Sequence, residues 1–142
     1  MVLQRGQFAD RLRRNECENA RVVCANATTW IRDYLADHSL SAVHIYFPDP
    51  WPKSGHRHRR FVQPEHIELV AKKMQPGARL QIVTDHTGYF TQIDKVVRNS
   101  SLAVVDFDAP AAAESQEMVG SNFERKYRRE GRTFHAIASE RV

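Results

Sequence analysis

Residues 42–52 read Ala42-Val43-His44-Ile45-Tyr46-Phe47-Pro48-Asp49-Pro50-Trp51-Pro52. The first six are rich in β-branched and aromatic residues and predict a strand over Ala42–Phe47. Pro48 and Pro50 end it, because neither supplies a ladder donor. A second such run, Arg79–Thr84, ends at Asp85. Between the two runs, Pro64 suits the first turn of a helix holding Ile67, Leu69, Val70 and Met74. Pro76-Gly77 then reads as a turn. In sheets of this kind, ligands bind beyond the carboxyl ends of the strands. Asp49 and Asp85 follow successive parallel strands, so they share one edge and lie within reach of one ligand.

The pattern extends outward from this unit. Residues 7–18 predict a helix with Phe8, Ala9 and Leu12 on one side and Arg11, Arg13 and Arg14 on the other. Ala20–Cys24 reads as a short strand. Thr28 or Thr29 caps a helix containing Trp30, Ile31, Tyr34 and Leu35. Gly88–Arg98 reads as a helix with Phe90, Ile93, Val96 and Val97 inward, and Leu102–Phe107 as a strand. Residues 108–120 form a loop, Asn122–Arg129 a short helix, and Thr133–Ala138 the last strand. Helices alternating with strands, then closing on strands, give an α/β fold. Its sheet is mostly parallel with an antiparallel C-terminal edge.

The chain has 142 residues, 42% hydrophobic and 27% charged. That is an ordinary globular balance and predicts one domain over residues 1–142. It excludes collagen-like, low-complexity and wholly disordered classes. No apolar run is long enough to span a bilayer, and the opening residues lack the apolar core of a signal peptide. Cys17 and Cys24 make no disulfide framework, which points to the cytoplasm and reduced thiols. The six glycines are Gly6, Gly55, Gly77, Gly88, Gly120 and Gly131, and no two lie within ten residues of each other. No glycine-rich nucleotide loop can be built from them.

Positive charge is modest overall, at +4, but clustered. Lys53, Arg57, Arg59 and Arg60 lie together with His56 and His58 and no acid. Arg125, Lys126, Arg128, Arg129 and Arg132 surround Glu130 alone, and Arg5, Arg11, Arg13 and Arg14 lie near the start. A solvated face explains any one such run, whereas three together suit a polyanion such as nucleic acid. In the Phe-Pro-Asp-Pro-Trp turn, Asp49 offers a carboxylate beside the aromatic face of Trp51. A base stacking on that face would present its N–H donors to the carboxylate. His56 and His58, even with Cys17 and Cys24, lack the tight ligand pairs of a zinc site, so no metal is expected.

The run Phe47-Pro48-Asp49-Pro50-Trp51-Pro52-Lys53-Ser54-Gly55-His56-Arg57-His58-Arg59-Arg60 resembles the signature of the tRNA (guanine-N7)-methyltransferases. So do Val83-Thr84-Asp85, with Tyr89 beyond, and Ser121-Asn122-Phe123-Glu124-Arg125-Lys126-Tyr127, followed by Gly131. The resemblance runs from about Asn19 to the C-terminus. It implies a Rossmann-like class I fold, S-adenosylmethionine as cofactor, and methylation of guanine N7 in the variable loop of tRNA. It also implies roles. Asp49 is the active-site acid and lies beside the cofactor, and Asn26 falls near the adenine ring. Lys53 and Asp85 contact the substrate. His56, Arg57, His58, Arg59 and Arg60 contact RNA. Ser121, Asn122, Phe123 and Glu124 fall on a Thr-x-Phe-Glu substrate motif, with Ser in place of Thr.

The chain departs from the family at its start. Members open with a strand, a glycine-rich loop and a second strand ending in an acid that holds the cofactor ribose. The match begins after that acid, so the fold is expected to be partial, truncated at its N-terminal side, with the first two strands missing. Ala20–Cys24 and Ala42–Phe47 then pair directly, or the first is displaced, or an edge stands open. Two functions follow as expectations. One is a tRNA (guanine-N7)-methyltransferase or its catalytic and RNA-binding part. The other is a non-catalytic RNA-binding remnant with tRNA as its partner.

Overall fold

Asn26 sets where the second helix begins. Its Oδ1 accepts the Thr29 N–H at 3.0 Å and starts helix α2, Ala27–Tyr34. The expected cap thus moves from Thr28 or Thr29 to Asn26, whose side-chain carbonyl reaches the N–H of the third residue on. In the computed structural model, residues 3–111, 113–114 and 116–142 are described, with side chains from Ala9 onward. The inward placement expected for Phe8 lies outside the described side chains. Helix α1 covers Leu3–Arg14 and ends earlier than expected, where Glu16 takes a left-handed φ of 51°.

The remaining elements follow in order. They are β1 (Leu40–Tyr46), a 3₁₀ helix (Ser54–Arg59), α3 (Pro64–Lys73), β2 (Met74–Thr84), α4 (Thr87–Arg98), β3 (Ala103–Val105), α5 (Asn122–Arg129) and β4 (His135–Glu140). Pro64 occupies the first turn of α3, as its fixed φ favours. His86 caps α4, with Nδ1 accepting the Tyr89 N–H at 3.0 Å.

One four-stranded sheet has the order β1-β2-β4-β3. β1 and β2 are parallel, pairing Val43 with Leu80, Ile45 with Ile82 and Tyr46 with Val83. β4 runs antiparallel to both β2 and β3. Three strands therefore share one direction, and the antiparallel C-terminal strand slots between β2 and β3 at that side of the sheet. Pro76-Gly77 stays a turn, but inside β2: Leu40 pairs with Met74 and Ala42 with Arg79, so the residues between bulge outward. Gly77, with φ +78°, supplies the left-handed step. β4 starts two residues later than expected because its ladder to β2 runs from His135 to Glu140.

The core lies on the face covered by α3 and α4. Ile67 and Val70 of α3 and Tyr89, Ile93 and Val97 of α4 close over Leu80, Ile82 and Ile137 of the sheet. α2 packs on α3.

The expected strand over Ala20–Cys24 does not form. The segment is irregular, and Val22 and Val23 are exposed. A short strand needs a partner for its backbone groups, and among the described residues none lies at the outer edge of β1. That edge stands open, the third of the outcomes above.

Candidate active site

Tyr46 pairs with Val83 across β1 and β2. Asp49 lies three residues past that pair and Asp85 two, so both acids sit at the carboxyl ends of adjacent parallel strands. Asp49 is exposed on its turn. The turn is strained on both flanks: Phe47 has φ 51° and Trp51 φ 40°. Bulky residues rarely adopt this region, at a cost of about 1–3 kcal/mol each, unless their surroundings hold them there.

The holding contacts are present. The Phe47 N–H bonds the Val83 carbonyl at 2.8 Å. The Phe47 ring meets Tyr127 and Phe134 edge-on, at 5.7 and 5.9 Å between centroids. Trp51 meets His56 edge-on at 5.9 Å, and the Arg59 guanidinium lies 5.2 Å from the Trp51 ring.

Arg60 completes the support from beneath. Expected among the RNA-contacting residues, it is instead buried, with 3% of its surface exposed. Its Nε donates to the Pro50 carbonyl at 2.7 Å and its Nη1 to Gln92 Oε1 at 2.8 Å. Its guanidinium stacks 4.7 Å from the Tyr89 ring. The Tyr89 hydroxyl accepts the Val62 N–H, and Gln92 donates to the Val62 carbonyl. Burial also pulls the Arg60 guanidinium below its ordinary pKa. Such a side chain is a structural pin. Lys53, Arg57, His58 and Arg59 remain exposed on or beside the 3₁₀ helix, and His56 is half-buried against Trp51.

Ser121–Glu124 has the spacing of a capping box, with the acid turned to the preceding loop instead of the cap N–H. Ser121 Oγ accepts the Glu124 N–H at 3.1 Å and starts α5, a task that Ser performs as well as the Thr of the motif. The Glu124 side chain turns back and is fully buried. It accepts the N–H groups of Met118, Val119 and Gly120 at 2.6, 2.8 and 3.0 Å, and Arg128 at 2.7 Å. Burial pushes its pKa up, but these donors outweigh burial and hold it below the ordinary value. The Glu124 carboxylate is therefore committed to the 118–120 loop and does not face a base. Asn122 and Phe123 project outward, with the Phe123 ring 6.1 Å from Tyr127.

Asp85 joins this helix to the sheet through Arg132, which donates to it at 2.6 Å. The two strand-end acids, the aromatic group of Phe47, Tyr127 and Phe134, and the outward face of α5 thus belong to one end of the sheet. A family model described as "Putative methyltransferase" matches residues 4–137.

The chain belongs to this methyltransferase family.

Among curated relatives of this chain is a tRNA (guanine-N(7)-)-methyltransferase of Bordetella pertussis. It is 38% identical over 97 residues, covering 68% of this chain and 38% of the relative. The Mycobacterium leprae (strain TN) protein of the same name is 41% identical over 96 residues, covering 66% and 42%. The chain thus spans about two fifths of the length of these relatives. The crystal structure of a geranyl diphosphate C-methyltransferase from Streptomyces coelicolor A3(2) superposes with a TM-score of 0.58 at 10% identity. The match covers 99% of this chain and 62% of the other, and it shows a shared fold.

Two residues of this candidate site, Arg132 and Gln92, escaped the sequence reading, as did the structural role of Arg60. The Ser121-x-x-Glu124 spacing signals the start of α5 but not the burial of Glu124. Nothing local marks Arg132, which reaches Asp85 only because Gly131, at φ +73°, turns the chain back after α5.

S-adenosylmethionine, the cofactor this fold implies, does not find a full site in the described residues. The Asn26 carbonyl is engaged as a helix cap, residues 20–24 form no strand, and β1 has a bare outer edge. Of the two residues expected beside the cofactor, only Asp49 stands exposed on the turn that follows a strand. Among the described residues, no group of three metal-ligating side chains converges, and no helix is long and apolar enough to cross a membrane.

Proposed function

We propose that this chain is the guanine-positioning and RNA-binding part of a tRNA (guanine-N7)-methyltransferase. One observation carries the reading: Asp49 and Asp85 end adjacent parallel strands, and Arg132 ties the second acid to the helix bearing Ser121–Phe123. The curated relatives that bear this name match over about two thirds of this chain.

Guanine N7 carries a free lone pair and needs no deprotonation to act as a nucleophile. The protein therefore contributes alignment and exclusion of water rather than strong base catalysis. Asp49, exposed on a rigid turn, accepts the N1–H or N2–H₂ donors of guanine or pairs with the cofactor amine. Phe123 stacks against a base. Lys53, His56, Arg57, His58 and Arg59 engage phosphates and fix the register of the RNA. S-adenosylmethionine supplies the methyl group where its site is complete.

A second reading, RNA binding without methyl transfer, is favoured by the open edge of β1 and the capping role of Asn26. Calorimetric titration with S-adenosylmethionine, alongside N7-methylation of tRNA, separates the two. Binding and turnover by the 142-residue chain support the enzyme acting alone. RNA binding without either supports the second reading.

A further inference from the structure

Arg132 lies outside every motif that carries the family resemblance, yet it touches Asp85 and Tyr127 of the site and the neighbouring Glu130. Nη1 donates to Asp85 Oδ2 at 2.6 Å. Nε and Nη2 straddle Glu130 at 2.9 and 2.7 Å. The guanidinium carbon lies 3.9 Å from the centre of the Tyr127 ring. Tyr127 is itself fixed edge-on by Phe47, the residue that leads into the Asp49 turn. A planar fork paired on both edges and stacked on one face has little freedom left.

We propose that Arg132 is a positioning residue that aims the Asp85 carboxylate at the target guanine, and so sets base specificity from outside the RNA motifs. This rests on the reading of Asp85 as a guanine contact. Asp85 stands one residue past β2, where an unpaired aspartate rotates among staggered wells. Arg132 takes Oδ2 and fixes the plane of the carboxylate. Among the described residues Oδ1 accepts no hydrogen bond, which leaves it for a donor from outside. An ionised carboxylate is acceptor-only, and the N1–H and N2–H₂ edge of guanine offers donors, whereas adenine presents a bare N1 there.

The alternative role for Arg132 is a phosphate contact. Two observations weigh against it: both edges of the fork already pair with carboxylates, and one face is covered by Tyr127. The Arg132 side chain is 43% exposed and Asp85 only 19%. The acid is thus the more enclosed partner and the one whose direction is being set.

The test uses the 142-residue chain and two RNA hairpins of identical stem whose loops differ by one guanine or adenine. Wild type is expected to prefer guanine by roughly tenfold, the scale of a well-placed pair of hydrogen bonds to a base edge. Arg132→Ala brings that ratio to within about twofold of one, as Asp85→Ala does, while adenine-hairpin affinity stays nearly unchanged. Arg132→Lys restores part of the ratio, because it keeps the charge but not the fork. Circular dichroism melts check folding, and Arg132→Lys decides if Arg132→Ala does not fold. Retention of the ratio in Arg132→Ala while Asp85→Ala loses it overturns this proposal alone. Equal loss on both hairpins, with the salt slope falling by about 0.7, makes Arg132 a phosphate contact and also overturns it. If wild type shows no preference, or Asp85→Ala keeps it, the reading of Asp85 itself fails, and this proposal with it.

Discussion

Arg60 and Pro50 meet beneath the acidic turn, where the buried guanidinium holds the Pro50 carbonyl at 2.7 Å. The contact divides a basic run into two jobs. Arg57 and Arg59 face solvent; Arg60 faces Tyr89, Gln92 and the turn. Arg60→Ala leaves the Pro50 carbonyl and the Gln92 amide without their donor and empties a buried volume. A loss of about 2–4 kcal/mol is expected, read as a lower midpoint in urea unfolding.

Arg57→Ala with Arg59→Ala has the opposite signature. The unfolding midpoint stays within about 0.5 kcal/mol of wild type, as for exposed positions. RNA affinity falls, and each lost phosphate contact lowers the slope of log K against log salt by up to about 0.9. A slope equal to wild type assigns the pair to solvated surface.

Glu124 gives a pH dependence with a definite sign. Its folded pKa lies below the ordinary carboxylate value because three amide N–H groups and Arg128 outweigh burial. A depressed carboxylate pKa adds stability above the unfolded pKa, and this is lost as pH falls through the folded value. The melting temperature of wild type should therefore fall as pH drops below about 4.3. Glu117 and Asp37 are depressed by Arg125 and Lys73 and act in the same direction. Glu124→Gln starts from a lower melting temperature at neutral pH and shows a shallower acid slope. Parallel acid slopes in the two proteins would remove Glu124 from this account.

What the sequence made legible follows from how local each signal is. The strands ending at Asp49 and Asp85 announce themselves by β-branched runs and hard stops, and both are present. Pro64 and the alternation of elements likewise place α3 and the parallel pair. Ala20–Cys24 has strand composition, but composition is only a preference; with no neighbour at the edge of β1, the backbone stays irregular. Arg60 sits among exposed cations in the sequence, and only the packing of α4 against the turn turns it inward. The link from Arg132 to Asp85 joins residues 47 apart in the chain, and no local pattern encodes it.

The open edge of β1 bears on cofactor affinity. With Asn26 used as a cap and no strand at the outer edge of β1, the described residues offer one flank of a cofactor cleft. The 142-residue chain should bind S-adenosylmethionine with Kd on the order of a millimolar or weaker, about −4 kcal/mol. Calorimetry checks this. Micromolar binding would show that a second copy or a rearranged segment completes the site.

Asp49 separates methyl transfer from RNA binding. The test places the strand, glycine-rich loop and second strand with which members of the family open ahead of residues 19–142. In that chimera Asp49→Ala should abolish N7 methylation while leaving most tRNA affinity in place. Affinity comes mainly from phosphate contacts, which say nothing about which atom reacts. Rate depends on alignment, and a misplacement of about 1 Å costs on the order of a hundredfold. The turn supplies that alignment: prolines flank Asp49, Phe47 and Trp51 are held at left-handed φ, and Arg60 pins Pro50. Asp49→Asn should fall between wild type and Ala, since it keeps the shape and one acceptor but turns a donor toward donors. Arg60→Lys should lower the methylation rate more than tRNA affinity, because it slackens the same turn without touching phosphate. Wild-type methylation by Asp49→Ala would leave Asp49 as a turn residue held by its prolines.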